Sequence, residues 1–142
     1  MWLQNRLEEH NKPQEAPQEV VYCGRTKDLR QPWRTYKAKG DGNSYFRAIS
    51  YILTGSEDNH SLLRDKVVHH MNTDLTTNLQ DYLNQNVNEY VNTSGISRDG
   101  VWATNAEIMA TANLLSCDIV IHTKVGDSME WLTYPASFNL QS

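Results

Sequence analysis

The chain has 142 residues, 39% hydrophobic and 21% charged, with a net charge of −4. That length fits one domain with one core. The acidic balance excludes a phosphate-backbone binder as the main role, because nucleic-acid domains present a basic face. No run of about 18 apolar residues occurs, so no membrane span is expected. Two cysteines, Cys23 and Cys117, are too few for a disulfide framework or a zinc site, and no metal or cofactor is expected. Cys117 sits in an apolar run and reads as a small buried hydrophobe. The start, Met1-Trp2-Leu3-Gln4, lacks the basic-then-apolar pattern of a secretory signal. The expectation is a soluble protein of the reducing cytoplasm.

Residues 1–19 are polar and contain Pro13 and Pro17, so they are expected to form a mobile arm with at most a short helix at Leu3–Glu9. Residues 20–142 are expected to form the single domain. Thr35 to Lys39 is a short strand candidate that ends at Gly40-Asp41-Gly42. A buried helix starts at Asn43 or Ser44 and runs to Leu53, with apolar residues nearly all round it and Gly55 as its stop. A second helix is expected from about Glu57 to Met71, after Ser56 as N-cap, with Leu63, Val67 and Met71 as its stripe. A third covers about Thr76 to Val91, with Leu79, Leu83, Val87 and Tyr90 on one face. Thr104-Asn105-Ala106-Glu107 is a capping box that opens a fourth, buried along Ile108, Ala112 and Leu115. Asp118 to His122 is β-branched and continuous, as in a central strand. Trp131 to Tyr134 pairs beside it after a turn at Gly126-Asp127. The fold class is therefore α+β, a small central β-sheet packed between helices.

The chemistry concentrates in Lys39-Gly40-Asp41-Gly42-Asn43-Ser44-Tyr45-Phe46-Arg47-Ala48-Ile49-Ser50. A strand enters a Gly-Asp-Gly-Asn loop, which is expected to deliver one small polar side chain, that of Ser44, into an open groove at the first turn of a buried helix. Free N–H groups and the positive end of the helix dipole face that position. A thiol there would ionise well below its ordinary value of about 8.5. The same N–H groups can hold the oxyanion of a tetrahedral intermediate. Glycine lets the backbone approach a substrate with no Cβ in the way.

This segment resembles the signature of the ovarian-tumour (OTU) cysteine proteases, Asp-Gly-Asn-Cys followed by aromatic residues, Arg-Ala and a small polar residue. The match runs through Asp41-Gly42-Asn43, Phe46-Arg47-Ala48 and Ser50, with Ser44 in the cysteine slot. A second block, Gly55, His60 and Leu63-Arg64, and a third, Trp102, Glu107, Ala110, Ala112 and the strand Ile119-Val120-Ile121, follow in the family's order. Together they cover about residues 36 to 134. The resemblance implies a papain-like OTU fold and a cysteine isopeptidase, a deubiquitinase acting on ubiquitin or ubiquitin-like conjugates, with no nucleic-acid or membrane partner. It places Ser44 at the nucleophile position and Asp41 in loop or triad support. It makes the backbone N–H groups of Gly42, Asn43 and Ser44 the oxyanion-hole candidates. Tyr45 and Trp102 are the substrate-binding candidates, with Tyr45 lining the cleft for a Gly-Gly tail.

Two departures stand out. A hydroxyl is a poor nucleophile without a well-placed base, and a helix N-terminus that makes a thiolate cannot make an alkoxide. The family's histidine lies on a strand beyond the tryptophan-bearing one, whereas this sequence has no histidine after His122 and ends at Ser142. His10, His60, the pair His69-His70 and His122 are weaker candidates for the base. The chain as it stands is expected not to cleave ubiquitin chains. Three explanations of Ser44 stay open: an engineered Cys→Ser change, a natural pseudoenzyme, or a working serine with another base. The alternative function is a non-catalytic ubiquitin-binding pseudoenzyme or an interaction scaffold. Plainer readings stand beside these roles: Asp41 as a turn former, Trp102 as a core or site-flanking aromatic, Glu107 as a capping residue. Arg47 and Arg64 are read as ties between helices and other elements.

Overall fold

The Gly-Asp-Gly-Asn turn enters α1 (Ser44–Thr54), which contributes Tyr45, Phe46, Ala48 and Ile49 to the buried core. The computed structural model describes residues 2–4, 19–23, 35–37 and 39–137, with side chains from residue 39 onward except that of Lys124. Tyr45, Phe46, Ala48 and Ile49 are all buried in α1, as an all-round apolar helix requires. Gly55 ends the helix in the left-handed region at φ 79°, and its N–H donates to the Tyr51 carbonyl.

The second expected helix is divided. Ser56 accepts from the Asp58 N–H and caps a 3₁₀ turn at Glu57–Asn59, which leads into α2 (His60–Thr73). Leu63, Val67 and Met71 are buried along it as expected, and Arg64 is buried with them. The third expected helix is two, α3 (Thr76–Leu83) and α4 (Val87–Ser94). Asn84 takes a left-handed φ of 55° and Asn86 caps α4 by accepting from the Asn88 and Glu89 N–H groups. These asparagines offer the backbone alternatives to a continuous helix.

The capping box opens α5 (Asn105–Leu115) as expected. Glu107 is fully buried; its carboxylate accepts from the Thr104 N–H and hydroxyl and from the Tyr90 hydroxyl, tying α4 to α5. Burial, opposed in part by its hydrogen bond with Thr104, pushes the Tyr90 hydroxyl up to about 12.

The strands are β1 (Trp2–Gln4), β2 (Glu19–Cys23), β3 (Thr35–Lys37), β4 (Ile119–Val125) and β5 (Ser128–Tyr134). They form a five-stranded sheet in the order β3-β1-β2-β4-β5. Only β1 and β2 run parallel; β4 and β5 form a hairpin across Gly126-Asp127, with Val125 paired to Ser128. The architecture is the expected α+β layer. Trp2–Gln4 corrects the reading of the N-terminus: it pairs with both β2 and β3 rather than starting a helix in a mobile arm. Backbone ladder bonds with distant strands decide its state, and three residues carry no readable period. Residues 5–18, the remainder of that expected arm apart from Met1 and Glu19, lie outside the described residues. Along β4 the side chains alternate. Ile119 and Ile121 join the helical core, while Val120, also buried, stands outside that cluster.

The turn itself is held by Asp41. Arg47, one helical turn into α1, donates through Nε and Nη2 to both carboxylate oxygens at 2.8–3.2 Å, and the Asn43 N–H donates to Asp41 Oδ1 at 3.1 Å. The Arg47 guanidinium also lies 3.8 Å from Glu57. The bond from Arg47 is the main reason that the Asp41 carboxyl drops from 3.8 to about 2. Because the folded-state value lies below the ordinary one, the pair stabilises the fold above about pH 4, and that contribution is lost as pH falls through about 2. The Asp41 side chain is 32% exposed, so solvent screening trims the effect to about 1 kcal/mol. Asp41→Asn removes this titration. Urea denaturation across that pH window should give the variant a flatter stability profile; superimposable profiles would show that the ion pair contributes nothing.

Candidate active site

Ser44 is the first residue of α1, where the sequence places it. Its surroundings correct the expectation of an open groove. The side chain is only 1% exposed, and among the described residues its hydroxyl has no hydrogen-bond partner. The turn that carries it is packed against the loop from Ile96 to Val101. Gly42 takes φ +23°, and a Cβ there would run into the Gly100 carbonyl. The Gly100 N–H donates to Asn43 Oδ1 at 2.7 Å.

Arg64 completes this junction from α2. Its guanidinium, in a side chain 2% exposed, donates to Asn43 Oδ1 at 2.8 Å, to the Ile96 and Val101 carbonyls at 2.9 Å, and at 3.5 Å to the Gly42 carbonyl. It also lies 4.5 Å above the Phe46 ring centroid. Burial pulls its pKa below the ordinary arginine value, opposed by nearby carboxylates including Asp99 and Glu107. The reading of Arg47 and Arg64 as structural ties therefore holds.

The oxyanion-hole candidates separate. The Asn43 N–H turns back to Asp41, bonding its carbonyl and its carboxylate, and so is committed within the turn. The Asn43 side chain occupies the N-cap position, yet no side-chain hydrogen bond caps α1. Its oxygen faces Arg64 and Gly100 instead. The mouth of the helix thus presents its dipole to residue 44 without a neutralising cap. Asp41 engages Arg47 and the Asn43 N–H, and the Ser44 hydroxyl is not among its partners, so its carboxylate serves the turn.

Tyr45 and Trp102 come together. They line one pocket of about 360 Å³ with Thr104 and Asn105, over a floor of Ile108 and Ile121, closed by Thr123, Leu132 and Tyr134 from the hairpin. The Tyr45 ring is buried and meets Phe46 edge-on at 5.1 Å. Of its two plainer readings, core or site-flanking aromatic, the 64% exposure of Trp102 at the rim corrects the first and agrees with the second. Tyr134 donates to Asn105 Oδ1 at 2.8 Å, fastening the hairpin to the start of α5. The hairpin's share of this pocket was missed in the sequence, as was Arg64 as the hub that joins Asn43 to the loop before Trp102. One signal for the hub was present: Arg64 lies on the same stripe as Val67, Val68 and Met71, and a cation on a buried stripe requires partners.

The histidines stand apart. His10 lies outside the described residues. His60 begins α2, and His69 is exposed on the same helix. His70 bridges Asp74 and Asn113 at 3.0 and 2.8 Å, linking α2 to α5. His122 stacks on Trp131 at 4.6 Å, and burial holds its pKa below the ordinary histidine value. Ile121 and Thr123 line the pocket, so strand alternation puts His122 on the opposite face of the sheet from Tyr45. No described histidine reaches the Ser44 hydroxyl. Among the described residues, no cluster of three or more His, Cys, Asp or Glu could hold a metal ion, and no helix is long and apolar enough to cross a membrane.

Comparison with known proteins agrees with this layout. The chain is 29% identical over 90 residues to the human "OTU domain-containing protein 1", covering 63% of this chain and 18% of that protein. It is 33% identical over 86 residues to the Arabidopsis thaliana "OVARIAN TUMOR DOMAIN-containing deubiquitinating enzyme 7", covering 58% of this chain and 22% of the relative. The chain thus spans about a fifth of the length of these relatives. Among solved structures, the OTU domain of OTUD1 superposes with a TM-score of 0.59 at 21% identity, covering 72% of this chain and 68% of that one. The viral OTU domain protease from Dera Ghazi Khan virus gives 0.50 at 21% identity, covering 58% and 53%. At that identity the two structures speak for the fold. The family model described as "OTU-like cysteine protease" matches residues 39–141, most of the chain, from the Asp41–Asn43 turn through β5, and the protein belongs to that family.

Proposed function

We propose that this chain is the ubiquitin-engaging domain of an OTU-type deubiquitinase, held without turnover by the serine at position 44. The observation that supports it is the Ser44 hydroxyl, without a hydrogen-bond partner among the described residues, at a helix start with no side-chain cap, one residue before Tyr45 in the wall of the Trp102 pocket. Names of relatives that include "deubiquitinating enzyme" point to the same substrate class. The pocket, with an exposed tryptophan rim and an apolar floor, suits the extended C-terminal tail of ubiquitin or a ubiquitin-like protein. Such a domain works in a reducing, cytoplasmic setting, where a thiol in the nucleophile slot stays free.

With cysteine at position 44, a thiolate attacks the carbonyl carbon of the tail's last glycine. The carbonyl electron pair moves to oxygen, where the N–H groups of Gly42 and the first helical turn stabilise it. Collapse expels the lysine amine, which takes a proton from a general acid, and water then releases the acyl group. Serine cannot start this sequence without a base, and the Ser44 hydroxyl has none among the described residues. Asp41 serves by holding the turn rather than by moving a proton.

Incubation with ubiquitin dimers should give no cleavage by this chain. Losing nucleophile or base each lowers a catalytic unit by several orders of magnitude, so Ser44→Cys restores useful turnover only where a histidine also reaches the site. Prompt cleavage by the unaltered chain would refute the proposal. Trp102→Ala should weaken ubiquitin binding about tenfold or more, read by titration, with the melting temperature nearly unchanged because the ring is mostly exposed. Unchanged affinity would remove Trp102 from the docking surface.

A further inference from the structure

The hairpin and the residues that leave it are stitched to α5 near both ends of that helix. At one end the capping box sets Asn105 as the first residue of α5, exposed directly after Thr104. Tyr134 closes β5; it lies opposite Ile119, and Leu132 lies opposite the floor residue Ile121. Strand alternation therefore puts Tyr134 and Leu132 on the helix side of the sheet. The Tyr134 hydroxyl donates to Asn105 Oδ1 at 2.8 Å. Just beyond β5, Ala136 is held from both sides: its N–H donates to Asp118 Oδ1 at 2.9 Å, and its carbonyl accepts from Asn113 Nδ2 at 3.1 Å. Asn113 lies roughly 12 Å further along α5 than Asn105, and its Oδ1 is engaged by His70. The backbone that carries Tyr134 is thus fixed by β4 pairing before it and by the Ala136 anchorage after it.

We infer that the Tyr134–Asn105 bond is a clasp across the mouth of the Trp102 pocket, and that Tyr134 is a specificity-determining residue. The clasp admits a slender, uncharged segment and keeps out a bulky or charged one. Its two side chains come from facing walls, the hairpin and the start of α5, and both line the pocket. Their bond lies on the solvent side, whereas the floor is buried, with Ile121 3% and Ile108 7% exposed. At about 360 Å³ the cavity is near the small end of ligand sites, so walls joined at the mouth leave room for a narrow chain. Among the described residues that line it, none is Lys, Arg, His, Asp or Glu. A charged side chain would leave water for a wall without a counter-charge, which is costly. The inference rests on the reading of this pocket as the site of the substrate's tail, and adds the rule by which that site selects. Its test nevertheless needs no ubiquitin, so the two can fail separately.

The experiment places a thiol on the pocket floor and measures what reaches it. The Ile108→Cys variant is treated with N-methylmaleimide and with the bulkier N-cyclohexylmaleimide, and peptide mapping separates position 108 from Cys23 and Cys117. Each rate is divided by that of the same reagent on free cysteine, so the ratio of the two reads access alone. With the clasp intact, the small reagent should outrun the bulky one by about tenfold, because both must pass the mouth. Adding Tyr134→Phe removes the hydroxyl and keeps the ring. The gap should then shrink to about threefold or less, with the melting temperature nearly unchanged, because an exposed neutral hydrogen bond contributes little to stability. A role confined to stability would speed both reagents together through local opening and leave their ratio as it was.

Tyr134 makes further contacts, so changes at Asn105 isolate the bond. Asn105→Ala should narrow the gap as Tyr134→Phe does, and the two together should go no further, since each breaks the same bond. Asn105→Asp keeps an acceptor oxygen for the phenol and should retain the gap of the intact clasp. Where Ile108→Cys does not fold, Thr123→Cys carries the thiol on the hairpin wall of the same pocket. Equal normalised rates for the two reagents with the clasp intact, or a ratio that Tyr134→Phe and Asn105→Ala leave unchanged, overturns the inference. Should the ratios behave as expected while ubiquitin does not bind, the clasp stands and the assigned tail falls.

Discussion

One buried guanidinium joins the three segments on which the candidate site depends. Arg64 is carried by α2, yet its hydrogen bonds go to Asn43 in the nucleophile turn and to Ile96 and Val101 in the loop before Trp102. Taking an arginine out of water costs several kcal/mol unless its donors are met. Here carbonyls, an amide oxygen and the Phe46 ring meet most of them. The Nε donor has no partner among the described residues. The geometry that results is non-local: positions 64, 43, 96 and 101 converge only after α1 and α2 have packed. Removing the guanidinium would leave buried acceptors unpaired on two loops together, a heavier penalty than the loss of a surface ion pair.

What could be read from the sequence follows from the range of each signal. α1 was legible in both limits because its stop is a single glycine and its start follows a glycine-rich turn. The capping box of α5 and the hairpin turn at Gly126-Asp127 are likewise set within a few residues. The third helix was misread as continuous because Leu79, Leu83 and Val87 keep a helical spacing across the break. The left-handed Asn84 and the cap at Asn86 override that spacing locally. β1 was hidden because pairing with β2 and β3 makes it a strand. The site residues were legible as chemistry but not as contacts. Nothing near Ser44 in sequence indicates that Gly100 would pack against Gly42, and that approach accompanies a closed turn where a groove was expected.

The same distinction bears on what the serine changes. A thiol at the helix mouth gains from the dipole because its anion is accessible near neutral pH; a hydroxyl does not. The features that would favour a thiolate are nonetheless intact: the uncapped first turn, the close glycine approach, and Asp41 held by Arg47. None of them needs the sulfur in order to form. On the proposed function, serine at position 44 leaves the scaffold standing while withdrawing the one atom that would react.

Binding and reaction are separable in this fold for a structural reason. Tyr45 belongs at once to the core, edge-on to Phe46, and to the wall of the Trp102 pocket. The pocket floor, Ile108 and Ile121, is core as well. Its shape is thus maintained by the burial that stabilises the domain, roughly 1.5–3 kcal/mol for each large apolar side chain, and not by anything at the Ser44 hydroxyl. A chain that loses its nucleophile keeps the pocket for as long as it stays folded. On the proposed function, a tail bound beside an unreactive hydroxyl would leave only by dissociation, and that would be the physical difference between a domain that cuts and one that holds.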